Sequence, residues 1–196
     1  MAGTRPRRES FAERRERRAA IDDPAVVLEA AARFLEARSR SVSEVRRRLG
    51  GAGYRPELVE GAIERMTELG MLDDEVFARA WVESRDRARP RGERAIREEL
   101  RLKGIDRETV DVVLGERRDR AAEPAGEGED EGPPVSADRA AAERLLAKNA
   151  RALARVADLR KRRQRAYALL ARHGFDPETC RDVAATLVDA PDDDSR

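Results

Sequence analysis

The sequence predicts an all-α fold of three tandem three-helix repeats forming an elongated, curved array, and three observations predict it. The dominant residues, Ala, Leu, Arg and Glu, all favour helix. Aromatic content is 4%, too little for one large core, while the hydrophobic share of 40% is too high for a wholly disordered chain. A spaced pattern centred on a glycine recurs three times, and start and stop signals bracket the segments of helical period.

Residues 1–22 are basic with little apolar periodicity and are expected to form a mobile arm. Helical pattern begins at Asp23, which can cap, and Pro24, whose missing N–H does no harm in a first turn. Val27, Leu28, Ala31, Phe34 and Leu35 then lie on one face. Ser41 or Ser43 can cap a second helix that carries Val45 and Leu49 inward and ends at Gly50, Gly51 and Gly53. Pro56 opens a third, with Val59, Ala62, Ile63, Met66 and Leu69 on its buried face and Gly70 as its stop. Residues 23–70 are thus the first repeat. Asp73 caps the next helix, which holds Val76, Phe77, Ala80 and Trp81, and the second repeat covers 71–117.

The repeats align without gaps on Gly53, Gly104 and Gly174. Four residues earlier stand Leu49, Leu100 and Leu170; the next residue is Tyr54, Ile105 or Phe175. Val59, Val110 and Cys180 follow at six residues, and Ala62, Val113 and Val183 at nine. The glycine permits a left-handed helix end, and the apolar residue after it folds back onto that end, as in a Schellman-type cap. Thin repeated cores of this kind stack into an array. Between the second and third repeats, residues 118–137 form an acidic linker rich in Gly and Pro, read as a hinge. The third repeat covers 138–188, and 189–196 is an acidic tail.

The net charge of +1 conceals segregation. Residues 1–20 hold seven arginines against three glutamates, and 139–172 hold eleven Arg or Lys against two acids. Basic stripes beside acidic segments mark proteins that work on or near polyanions. The basic residues gather on the second helix of each repeat: Arg46, Arg47 and Arg48; Arg91, Arg94 and Arg97; Arg160, Lys161, Arg162, Arg163 and Arg165. Aligned, they would form a track suited to phosphate backbone or an acidic groove, with little sequence specificity.

Catalytic classes find no support. The lone histidine, His173, precedes Gly174 at a helix end and lacks partners at ligand spacing. Cys180 falls on a repeated apolar position, and one cysteine cannot form an internal disulfide. The Gly50–Gly53 stretch lacks the Lys-Ser/Thr of a phosphate loop. The pairs Asp73–Asp74 and Glu98–Glu99 have no accompanying base or metal pattern. Trp81 and Tyr167 could stack on bases, but both sit at helical core positions. No enzyme activity, cofactor or metal is expected, nor any membrane span.

The stretch Leu69-Gly70-Met71-Leu72-Asp73-Asp74-Glu75-Val76-Phe77-Ala78 resembles the signature of the RecX regulators, as does Arg94-Ala95-Ile96-Arg97-Glu98-Glu99-Leu100-Arg101-Leu102-Lys103-Gly104-Ile105. Weaker likenesses lie at 38–45 and 165–175, and the resemblance covers roughly 25–188. It implies a monomeric, cytoplasmic body of tandem repeats that binds in the groove of a RecA-type recombinase filament on DNA. It also implies inhibition of recombinase ATPase and strand exchange, and so negative modulation of DNA repair and the damage response. The residues taken as candidates for contacting filament or DNA are Arg46, Arg47, Arg97, Arg162 and Arg163. Other readings are a DNA-binding protein without sequence specificity, on single or double strands, and a scaffold solenoid with protein partners only. The acids on the third helices, among them Glu60, Asp111 and Asp182, argue against those helices entering a major groove. The basic arm, the acidic insert and the acidic tail depart from the family pattern, and the insert is expected either to let the third repeat swing or to mask its basic stretch in the free state.

Overall fold

A computed structural model describes residues 9–122 and 136–187. The first eight residues, the centre of the acidic insert and the acidic tail lie outside the described residues. Every regular element among the described residues is a helix. The chain divides into two compact units, Met1–Phe77 with Lys103–Ile105, and Ala78–Leu102 with Asp106–Arg196.

The first unit begins with α1 (Phe11–Ala19), within the stretch read from the sequence as a mobile arm. The cause is a capping box: the Ser10 side chain accepts from the Glu13 N–H, and the Glu13 carboxylate accepts from the Ser10 N–H at 2.6 Å. Helices α2 (Pro24–Glu36), α3 (Val42–Ala52) and α4 (Pro56–Glu68) make the first repeat. Asp23 caps α2, Ser41 caps α3 in a second capping box with Glu44, and prolines open α2 and α4. Val27, Ala31, Val45, Leu49, Val59, Ala62, Ile63, Met66 and Leu72 form the core of this repeat. Leu69, expected on the buried face of α4, is half exposed because α4 has ended and Gly70 turns the chain at φ +68°.

Helices α5 (Asp74–Ala88), α6 (Glu93–Leu102) and α7 (Arg107–Ala122) make the second repeat, and the boundary between the units falls within α5. Asp73 caps α5, accepting from the Glu75 and Val76 N–H groups. Its neighbour Asp74 accepts from the N–H of Val42 at 2.9 Å, so the second acid of the pair caps α3 instead. α7 runs on to Ala122, into the stretch read as linker. In the third repeat the first helix is broken: α8 (Ala137–Lys148) and α9 (Ala150–Ala154) meet at Asn149, followed by α10 (Leu159–Arg172) and α11 (Pro177–Ala185). Its core joins Ala141, Leu145, Leu153, Ala166, Leu170, Phe175, Cys180 and Val183.

The repeated glycines all take the left-handed conformation, with φ +103° at Gly53, +80° at Gly104 and +83° at Gly174. Tyr54 and Phe175 donate their N–H groups back to the carbonyls of Leu49 and Leu170, the long hydrogen bond of a Schellman end. Leu49, Leu100, Leu170, Ile105 and Phe175 are buried. Gly50 and Gly51 instead lie inside α3, with open space where a Cβ would be added. Gly51→Ala is therefore expected to stabilise the first unit by about 0.5–1 kcal/mol, because helical backbone entropy is recovered without a clash. Urea denaturation would register this as a higher midpoint at unchanged slope.

Within the second unit, side chains on either side of the insert join the third repeat to the second; the centre of the insert, read as a hinge, lies outside the described residues. Arg117 of α7, 3% exposed, donates to Asp86 of α5 and to Asp138 of α8. Asp138 also accepts from the Glu93 N–H at 3.0 Å and so caps α6. Gly92 N–H donates to the His173 carbonyl at 3.0 Å, and Lys148 Nζ to the Ala88 carbonyl at 2.7 Å.

Candidate polyanion-binding surface

Among the five candidate arginines the structure makes sharp distinctions. Arg46, on α3, holds both oxygens of Glu60, on α4, at 2.7 Å. Arg97, on α6, pairs with Asp111 of α7 and with Glu93 at 3.1 Å. These are the same interaction in two repeats: the arginine stands seven residues before the repeat glycine and the acid seven after it. The hydrogen bonds from Arg46 and Arg97 hold the Glu60 and Asp111 carboxyls below their usual range, and in return raise both guanidinium groups. In each of the first two repeats an acid of the third helix thus neutralises one arginine of the second helix.

Arg162 is withdrawn from the surface altogether. It is buried, and its guanidinium donates to the carbonyls of Val156 at 2.9 Å and Ala157 at 3.2 Å. Arg163 stays exposed and places its fork on the Leu187 carbonyl. Arg47 is exposed and makes no ion pair among the described residues. The aromatic candidates are also accounted for. Trp81 is half-buried, donates its indole N–H to Glu99 at 2.8 Å and carries the Arg85 guanidinium 4.2 Å above its ring. Tyr167 is half-buried against the third core. His173 Nδ1 lies 2.8 Å from the Leu169 carbonyl, the helix-end role expected of it.

In the third repeat the arginine–acid pair is missing, because Tyr167 and Arg181 occupy the two positions. Lys161, Arg165 and Arg172 are exposed, and their side chains make no ion pair among the described residues. Their spacing of four and seven residues places them on one stripe of α10, about 16 Å long at the helical rise. Exposed Arg160 and Arg181 lie on α10 and α11. Such a stripe can contact successive phosphates or a row of carboxylates, but it offers no paired donor–acceptor geometry for base edges. The residues seven before and seven after each repeat glycine carry the signal in the sequence that separates the second helix of the third repeat from the other two.

The lowered carboxyls set a pH dependence. Glu44, bridged by Lys103 at 2.7 Å and by Arg38, also lies below its usual value, since these bonds outweigh the opposing effect of its burial. For groups depressed in the folded state, the stabilisation is complete above the unfolded value, 4.5 for Glu44 and Glu60, and is lost as pH falls through the lower folded value. The melting temperature is expected to be insensitive to these pairs down to about that pH and to fall below it. A scan of Tm against pH checks this, and Glu60→Gln should flatten the acid limb slightly.

Comparison with known proteins follows the same division of the chain. Models of the RecX first, second and third three-helix domains match residues 28–66, 73–114 and 137–183. The chain is 33% identical over 157 residues to the regulatory protein RecX of Mycobacterium leprae (strain Br4923), covering 80% of this chain and 82% of that one. It is 40% identical over 82 residues to the regulatory protein RecX of Mycolicibacterium vanbaalenii, a match spanning 45% of that protein. With several such relatives the aligned part is about half their length. A crystal structure of RecX from Lactobacillus salivarius superposes with a TM-score of 0.65 at 18% identity, covering 84% of this chain and 96% of that one. A second crystal structure of a regulatory protein RecX gives 0.64 at 20%, covering 83% and 71%. At these identities the superpositions establish the fold. No helix among the described residues is long and apolar enough to cross a membrane.

Proposed function

Because the chain belongs to the RecX family of regulatory proteins, we propose that it is a negative regulator that binds a RecA-type recombinase filament on DNA and inhibits ATP hydrolysis and strand exchange. The observation that carries this reading is the presence of all three family domains, in order, along the chain. The action is steric and electrostatic, performed by a cytoplasmic monomer without a cofactor. The stripe Lys161, Arg165 and Arg172 is the part of the surface that meets phosphate or acidic side chains, together with Arg47. Arg163 contributes charge beside the stripe. Arg46 and Arg97 are already satisfied by Glu60 and Asp111 and contribute little.

The second reading, a DNA-binding protein without sequence specificity, draws on the same stripe. Binding to single-stranded DNA and to recombinase-coated DNA, each measured against salt concentration, separates the two. The filament reading expects tighter binding to the coated strand. Replacing Lys161, Arg165 and Arg172 together with glutamine is expected to reduce the slope of log K against log salt by about 2–3, at roughly 0.7–0.9 per lost phosphate contact. Arg46→Gln is expected to leave that slope unchanged. Equal affinity for naked and coated DNA would favour the plain DNA-binding reading.

A further inference from the structure

The repeat-to-repeat contact in this fold is itself a repeated chemical unit. In the first unit, Ser41, twelve residues before Gly53, donates its hydroxyl to the carbonyl of Lys103, the residue before Gly104, at 2.6 Å. In the second unit, Gly92, twelve residues before Gly104, donates its N–H to the carbonyl of His173, the residue before Gly174, at 3.0 Å. At both places the glycine behind the accepting carbonyl presses on the first turn of the donating helix. A Cβ at Gly104 would meet Ser43 Cβ at 2.3 Å, and one at Gly174 would meet Ala95 Cβ at 2.3 Å. The donor and the glycine end are therefore complementary halves of one docking contact.

Three repeats leave one half over at each end. At the first end stands the Gly53 face, with the Ala52 carbonyl as the acceptor. It is filled by α1: Arg18 Nη1 donates to Ala52 O at 3.3 Å, the Arg18 guanidinium lies over Tyr54, and the Arg15 backbone would be 2.9 Å from a Cβ on Gly53. At the last end stands residue 162, twelve before Gly174. Its donor finds the carbonyls of Val156 and Ala157, supplied by the turn that precedes α10. A surrogate donor closes one end and surrogate acceptors close the other.

We propose that α1 and the Val156–Ala157 turn are cis-acting end caps on a self-complementary surface, and that the partner this surface fits is a second copy of this chain. With both caps in place each copy is complete. With a cap opened at each end, the Gly53 face of one copy receives the start of α10 of the next, a head-to-tail contact that leaves new ends free at each addition. This accounts for Arg162 being buried in a helix whose neighbouring cations face solvent.

The logic of two different ends gives a specific test in the full-length chain. Arg18→Glu removes the donor to Ala52 and places a negative charge against the C-terminus of α3, which repels it. Arg162→Ser installs the hydroxyl that Ser41 uses, and Arg162→Lys serves in its place should the serine variant lose helicity by circular dichroism. Sedimentation velocity is expected to find each single variant monomeric, since each still has one closed end. An equimolar mixture of the Arg18 and Arg162 variants is expected to form dimers and nothing larger, and the double variant is expected to grow with concentration. A mixture and a double variant that both retain helicity and both sediment as monomers would overturn the proposal. Association by the Arg18 variant alone would overturn it as well, because that variant offers no open α10 end.

Discussion

Arg117→Ala is expected to destabilise the second unit by about 3–5 kcal/mol, the usual consequence of removing one partner of a buried ion pair. Arg117 is 3% exposed and stands between two carboxylates whose side chains are 25% and 17% exposed, Asp86 and Asp138. Burial opposes its charge, but the hydrogen bonds it donates to these two acids outweigh that opposition and hold it above the ordinary arginine value. Burial also pushes the Asp138 carboxyl up, with Arg117 as the main counterweight. Without Arg117, Asp138 would stay charged in a dry site and the cap on α6 would weaken. Trp81, the sole tryptophan, lies in this unit and reports its unfolding in urea. Two companion variants make the cause visible. Arg117→Ala combined with Asp138→Asn should recover part of the loss, because the stranded charge is gone. The deficit of Arg117→Ala should also narrow on mild acidification, since an aspartate raised further in the folded state gains stability as pH falls through its folded value. A loss that ignores both would mean that packing, and not charge, is what Arg117 supplies.

Gly174→Ala is expected to cost several kcal/mol, and here the comparison between glycines is the informative part. A left-handed backbone costs an L-residue about 1–2 kcal/mol. At Gly70, with φ +68° and open space around the missing Cβ, that is the whole expected effect. At Gly174 the new methyl would also fall 2.3 Å from Ala95 Cβ and 2.7 Å from Ala95 N, and backbone has to move to admit it. Overpacking of that kind adds about 1–3 kcal/mol. Gly92 faces the same junction from the other side, where a Cβ would fall 2.3 Å from the Gly174 carbonyl oxygen, so alanine there is expected to be similarly harmful although φ is not positive. Equal midpoints for the Gly70 and Gly174 variants would show that the junction is looser than its geometry.

The helices and their ends were legible in the sequence because they depend on near neighbours. Ser41, Asp73, Pro24, Pro56 and the three glycines each act within a turn or two of their own position, and each is found in its expected role. The capping box Ser10–Glu13 is equally local, a serine followed three residues later by a glutamate within a basic stretch. What composition could not give was the fate of each arginine. Arg46 and Arg97 meet acids fourteen residues away on another helix, and Arg162 turns inward to carbonyls in a loop. Those outcomes depend on where helices cross, not on helical period. The apolar positions were forgiving by contrast: any large side chain after the glycine serves, which is why Tyr54, Ile105 and Phe175 can interchange.

Action at a recombinase filament is read out by ATP hydrolysis by the host's recombinase on single-stranded DNA with this chain titrated in. A dose-dependent fall in turnover is expected. That fall should weaken strongly when Lys161, Arg165 and Arg172 are replaced together by glutamine and hardly at all when Arg46 is. Undiminished hydrolysis at every dose, with filaments present and the chain folded, would contradict that action.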